Sequence, residues 1–249
     1  MFGTLALNNS DLFILILICF FAGLIRGFSG FGLSAFVMSL ALTIIPPIEL
    51  IPVCWWMEFV ASVFMIRNGW KDSDKKISII LWLGAVFGLP IGIALTTILD
   101  FQTSKIVALV LILILALILL RNFKIQFLST SVGTISSGVF AGAATGLASI
   151  GGMIVAIYVL ASQNSVRRVR ASLVLYIFLN SVTTFIFLIL FDVMDHKAFV
   201  RGVLLAVPSS IGVVLGSILF MQKLEKYYRP FSLGLLISFS LVGLIRLTG

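Results

Sequence analysis

The sequence predicts an all-α integral membrane protein, an inverted-repeat helical bundle whose two halves each hold one broken-helix hairpin plus three transmembrane helices. Three observations lead there. Hydrophobic residues make up 61% of the 249 positions and charged residues only 10%, against about a quarter charged in a soluble domain of this size. The apolar stretches reach about 15–20 residues, which suits helices, and the alternating pattern of outer-membrane strands is absent. Two of the stretches are broken by glycine clusters at matching places, which is the observation that bears on function.

Ten apolar segments follow one another, at about 12–27, 31–45, 49–66, 78–98, 105–121, 132–147, 150–162, 172–191, 201–220 and 231–247. No Lys or Arg precedes the first, so it lacks the basic start of a cleaved secretory signal and reads as a retained helix. As one helix, 12–45 would be roughly 51 Å long, far beyond an apolar core of about 30 Å. "RGFSGFG" at 26–32 divides it into two pieces of about 15 residues, each short for a full crossing. "GLASIGG" at 146–152 divides 132–162 in the same way. Each pair is therefore expected to be a hairpin that enters the membrane and returns to the same side. The other six segments are expected to cross once each. The separators between them, the longest at 67–76, 121–130 and 162–170, are too short for a soluble domain.

That topology sorts the basic residues. Arg67, Lys71, Lys75, Lys76, Arg121, Lys124, Arg167, Arg168, Arg170, Lys223, Lys226 and Arg229 fall on one side, and Lys105, Lys197, Arg201 and Arg246 on the other. Arg26 is left within the membrane. The bias makes the first side cytoplasmic and both termini extracytoplasmic. It also accounts for the formal charge of +8 without a nucleic-acid partner. The count is silent on whether the hairpins are re-entrant or fully spanning, because either gives an even number of crossings.

A single membrane domain, 1–249, thus divides into a first half, 11–121, that begins outside and a second, 132–248, that begins inside. The residues agree. "AGLIRGFSGFG" at 22–32 aligns without a gap with "AGAATGLASIG" at 141–151, matching Ala22/Ala141, Gly23/Gly142, Gly27/Gly146 and Gly32/Gly151. "PIGIAL" at 90–95 aligns with "SIGVVL" at 210–215. Glycines at this spacing also serve plain helix packing. Interrupted apolar segments at corresponding positions of two halves point instead to a transporter binding site.

"IRGFSGFGLSAFV" at 25–37, "FAGAATGLASIGGMIVAIYVL" at 140–160 and "IGVVLGSIL" at 211–219 resemble the sulfite exporter TauE/SafE family, and the likeness covers essentially the whole chain. The resemblance implies a transporter in the bacterial cell (inner) membrane that carries small sulfur-containing anions: sulfite, sulfoacetate and related organosulfonates. Export is implied by the resemblance alone. The second motif departs from the family pattern, lacking its third consecutive glycine and the proline that follows.

A hairpin turn inside the membrane leaves helix ends that must be buried in protein or face a watery cavity. At a helix N-terminus the free N–H groups and the positive dipole end suit an anion, and glycines let it approach. Gly30, Phe31 and Gly32 are expected to offer donors from one break, and Ser149, Ile150, Gly151 and Gly152 from the other. Ser29 and Ser149 add hydroxyls, and Gly27 and Gly146 are the glycines before each break. Arg26 is a candidate for gripping two oxygens of a sulfonate or carboxylate at once, or for pairing with Glu58. Glu58, in "IPVCWWMEFVASVFMI", is a candidate carrier of a coupling proton or one half of that pair. Asn180 either binds ligand or joins helices. His196 reads as a surface residue, Cys19 and Cys54 suggest no disulfide, and neither a metal site nor a cofactor is spelled out. Trp55 and Trp56 sit deeper than the other, interfacial tryptophans.

The expected function is a secondary transporter of small organic or sulfur anions working by alternating access, with a small anionic substrate and the lipid bilayer as partners. Coupled protons and a homodimer are both open. No phosphate-binding loop for ATP is present. The alternatives are a passive anion channel and a membrane-embedded enzyme; for the latter, no paired intramembrane aspartates or Ser–His set is legible.

Overall fold

The computed structural model describes residues 8–121, 130–161, 165–219, 233–234 and 236–245. Among them the chain is helical: α1 Asn9–Ser29, α2 Leu33–Ala41, α3 Pro47–Asp72, α4 Lys75–Ile98, α5 Phe101–Arg121, α6 Ser131–Ala148, α7 Gly151–Ala161, α8 Val166–Leu190 and α9 His196–Ile218. A further apolar helix, α10, runs Leu236–Ile245. Each expected segment has its helix, although part of 231–247 lies outside the described residues. Six helices, α1, α3, α4, α5, α8 and α9, are long and apolar enough to cross a membrane. Phe21, Phe87, Val207 and Ile211 are exposed on their outer faces, as lipid contact requires.

Helix starts follow ordinary capping chemistry. Thr130, Asp74, Ser165 and Asp195 each accept a backbone N–H with their side chain at the head of α6, α4, α8 and α9. The Pro46–Pro47 pair opens α3, where a missing N–H costs nothing. The caps lie among polar residues, so α3 runs on through Arg67 to Asp72, beyond its apolar stretch.

The two breaks fall where expected. Gly30 ends α1 in the left-handed region (φ 84°) and donates its N–H to the Arg26 carbonyl. Its aligned counterpart, Ser149, ends α6 in the same region (φ 56°), a conformation that costs a non-glycine residue about 1–2 kcal/mol. The pieces are unequal, however, and not two of about 15 residues. α1 has 21 residues and α6 has 18, whereas α2 has 9 and α7 has 11. At 1.5 Å per residue, α1 is about 31 Å long, enough to cross the core, and α2 returns about half of the way. Glycine position decides this: the break comes late in each pair.

The ends of the helices can be matched. Glu49, at the start of α3, pairs with Arg201, near the start of α9. Asp72, at the end of α3, pairs with Arg167 at the start of α8, and the Asp74 N–H donates to the Ser172 hydroxyl. α1 runs parallel to α9, since Gly23 packs on the Ser209 carbonyl and Gly27 on that of Val213. α6 likewise runs parallel to α4, with Gly142 on Ala85 and Gly146 on Leu89. The first hairpin therefore leaves from and returns to the end that holds Glu49, and the second does so at the end that holds Asp72.

These two interfaces use the same contacts. Gly212 and Gly216 of α9 meet the carbonyls of Phe20 and Leu24, and Gly88 and Gly92 of α4 meet those of Val139 and Ala143, their aligned counterparts. In each, a Cβ would overlap the facing backbone, so only glycine permits so close an approach. The packing equates Gly88 with Gly212 and Gly92 with Gly216. The alignment of "PIGIAL" with "SIGVVL" is thus one helical turn out of step, because glycines four apart match in either register.

Candidate substrate site

Between the hairpins lies a cavity of about 40 Å³, lined by the first residues of α2 and α7 and by the central turns of α3 and α8. By the room a water needs, that holds about three waters or an ion of three or four heavy atoms. Gly32, Glu58, Ser149, Ile150, Gly152 and Asn180, all named from the sequence, face it. The turns themselves do not meet at mid-depth. Gly30 lies against Arg170, near the start of α8, and Ser149 beside the Ile51 carbonyl, near the start of α3. Each turn has travelled toward the far end, and the cavity sits between them.

Arg26 is fully buried and fully engaged. Its Nε donates to Glu58 Oε2 at 2.8 Å and one terminal nitrogen to the Ser62 hydroxyl at 3.1 Å, while the other donates to the Gly30 carbonyl. Glu58 Oε1 accepts from the Ser34 hydroxyl at 3.0 Å and the Ser34 N–H at 3.4 Å. A protein carboxylate thus occupies the head of α2, where an anion was expected. Of the two sequence readings of Arg26 the structure contains the ion pair, and the guanidinium is not among the groups that line the cavity.

A similar arrangement without the charges surrounds Thr145. Thr145, at the position aligned with Arg26, accepts from the Asn180 amide nitrogen at 3.4 Å, and Thr184 accepts from the same nitrogen at 3.4 Å. Arg26, Glu58 and Ser62 in one half correspond to Thr145, Asn180 and Thr184 in the other. At the head of α7 no carboxylate intervenes. The first N–H groups there, from Gly151 and Gly152, have no acceptor inside the helix. The Tyr176 hydroxyl, beside the Thr145 side chain, and Asn180 Oδ1 are both buried in the cavity wall, and Asn180 Oδ1 has no hydrogen-bond partner there.

The remaining expected residues support the turns. The Ser29 hydroxyl donates within its own turn, to the carbonyls of Ile25 and Phe31. Phe31 is buried, Gly27 and Gly146 serve the glycine interfaces, and Gly151 packs against Thr145 and Ala141. Sequence reasoning missed Ser34, Tyr176, Ser181 and Thr184 as cavity residues. A legible signal existed in α8, where Tyr176, Asn180 and Thr184 stand four apart and so share one helix face. Trp55 is indeed deep: it lines the cavity and its indole donates to the Ser181 carbonyl at 2.7 Å.

A larger opening, about 530 Å³, lies between α3, α8 and α9 at the Asp72 end. Arg167, Arg170 and Asp72 line it, and Arg170 donates from it to the Gly27 carbonyl at the end of α1. Arg170 was read from sequence as part of a topology-setting cluster; it also closes the first hairpin. Among the described residues no cluster of His, Cys, Asp or Glu could hold a metal ion.

A family model described as Sulfite exporter TauE/SafE matches residues 15–243. No curated protein and no solved structure matches the chain.

Proposed function

Because the chain belongs to the sulfite exporter TauE/SafE family, whose members are membrane transporters of small anions, we propose that it is a secondary carrier whose substrate sits in the cavity between α2 and α7. The observation that carries this is the cavity at the head of α7, where the buried Asn180 Oδ1 has no hydrogen-bond partner, within a multi-pass helical bundle. An anion gains most where N–H groups and a helix dipole converge out of water. The head of α2 is not the seat, because Glu58 already fills it and Arg26 already neutralises Glu58.

The two halves are an inverted repeat in this reading, supported by the reciprocal glycine contacts and by hairpins that open to opposite ends. Alternating access then consists of one half rocking against the other about the cavity. The wide opening at the Asp72 end is the cytoplasmic vestibule, with Arg167 and Arg170 drawing anions inward. The charge bias gives that orientation, in a bacterial inner membrane with both termini outside, and export follows from it only if the gradient runs outward. Nothing in the cavity resembles the nucleophile–base set of an enzyme.

Reconstitution into liposomes tests the proposal. Saturable sulfite flux with counterflow is expected. Unitary current steps in a planar bilayer would replace the carrier with a channel.

A further inference from the structure

One hydrogen-bond acceptor in the cavity is oriented and left over. The Asn180 amide nitrogen faces the hydroxyls of Thr145 and Thr184. Both have already given their hydrogen away: Thr145 to the Ala141 carbonyl and Thr184 to the Asn180 carbonyl, each at 2.8 Å. They can only accept, which fixes the NH₂ end of the amide beside them and turns Oδ1 away. That oxygen belongs to a residue 6% exposed, in the cavity wall, and has no partner.

Beside Glu58, which Arg26 and Ser34 already engage, the wall presents two kinds of group. The Tyr176 hydroxyl and the Gly152 N–H, in the first turn of α7, can donate to anionic oxygens. Asn180 Oδ1 can only accept, and a bare oxyanion would leave it unpaired and facing negative charge. A ligand that satisfies both must bring unprotonated oxygens and one O–H.

Resting on the carrier reading above, we infer that the cavity holds its oxyanion in the monoprotonated form. Two bare oxygens lie toward Tyr176 and the head of α7, and the O–H donates to Asn180 Oδ1. The cavity's size fits such an ion with four heavy atoms, hydrogensulfite among them. The proton then crosses on the substrate.

Hydrogensulfite and methanesulfinate test this, since they are isosteric monoanions in which a methyl group replaces the O–H. Their affinities for the purified protein are measured by titration calorimetry in one mildly acidic, oxygen-free buffer. Hydrogensulfite is expected to bind at least about tenfold tighter, because the methyl group strands a buried acceptor. Asn180→Leu is expected to bring the two within about twofold. Equal affinities for the wild-type protein overturn the inference and need no variant. If both ions then still show saturable flux in liposomes, the carrier reading stands and only the protonation state is wrong. If neither binds nor moves, the carrier reading itself falls.

Discussion

Arg26 and Glu58 are expected to behave as one unit. Arg26 is wholly buried, its Nε lies 2.8 Å from the carboxylate, and 14% of the Glu58 side chain is open. Unit charges about 4 Å apart attract by about 4 kcal/mol at an effective dielectric of 20. That agrees with about 3–5 kcal/mol for removing one partner of a buried pair. Arg26→Gln and Glu58→Gln are each expected to destabilise the protein by that amount, the second because a guanidinium cannot shed its charge. The double variant buries no charge, so its loss is expected to be only about 2 kcal/mol, from weakened bonds to Ser62 and the Gly30 carbonyl. Denaturant titration in mild detergent, followed by near-UV circular dichroism, gives the four stabilities of the cycle. Losses that add to within about 0.5 kcal/mol would refute the pairing and return Arg26 to the role of a cation available to substrate.

Three further outcomes follow from the geometry. Tyr176→Phe is expected to weaken hydrogensulfite binding by about 3–10-fold and to cost no more than about 1 kcal/mol of stability, since Thr145 is the one side chain its hydroxyl engages; a larger loss would contradict this. Gly88→Ala places a methyl group into the Val139 carbonyl and should cost about 1–3 kcal/mol or more, while Gly234→Ala, with open space around it, should cost little; equal melting curves would refute the interface. Asp72→Asn removes an ion pair whose Arg167 is 62% exposed, so a stability change above about 1 kcal/mol in a salt titration would show the bridge to be more than a surface contact.

Much of this architecture was legible in the sequence for a plain reason. In lipid a backbone must satisfy itself, so apolar runs become helices and a glycine cluster within one becomes a break. The limits of α3 were not legible from hydropathy, because Arg67–Asp72 stay helical in a polar setting and the stop is set by the cap at Asp74. The unequal arms were missed because an apolar pattern does not reveal which residue of a glycine cluster turns. At the site, the sequence singled out Arg26 and Glu58 as the costly charges, but a charge in a membrane marks compensation as readily as ligand binding. The uncharged cavity wall at Tyr176, Asn180 and Thr184 carries no such flag. Its residues stand out only by their common spacing and by the bonds that Thr145 and Thr184 have already committed.

The pairing of α1 with α9 has a consequence for how the protein is made. α1 has its glycine face shaped for α9, so it must wait in the bilayer while the seven helices between them are synthesised. α6, by contrast, meets α4 soon after insertion. The α4–α6 pair can thus form before the α1–α9 pair, and premature termination after α8 leaves a bundle with an unpartnered small-residue groove, a ready substrate for membrane quality control.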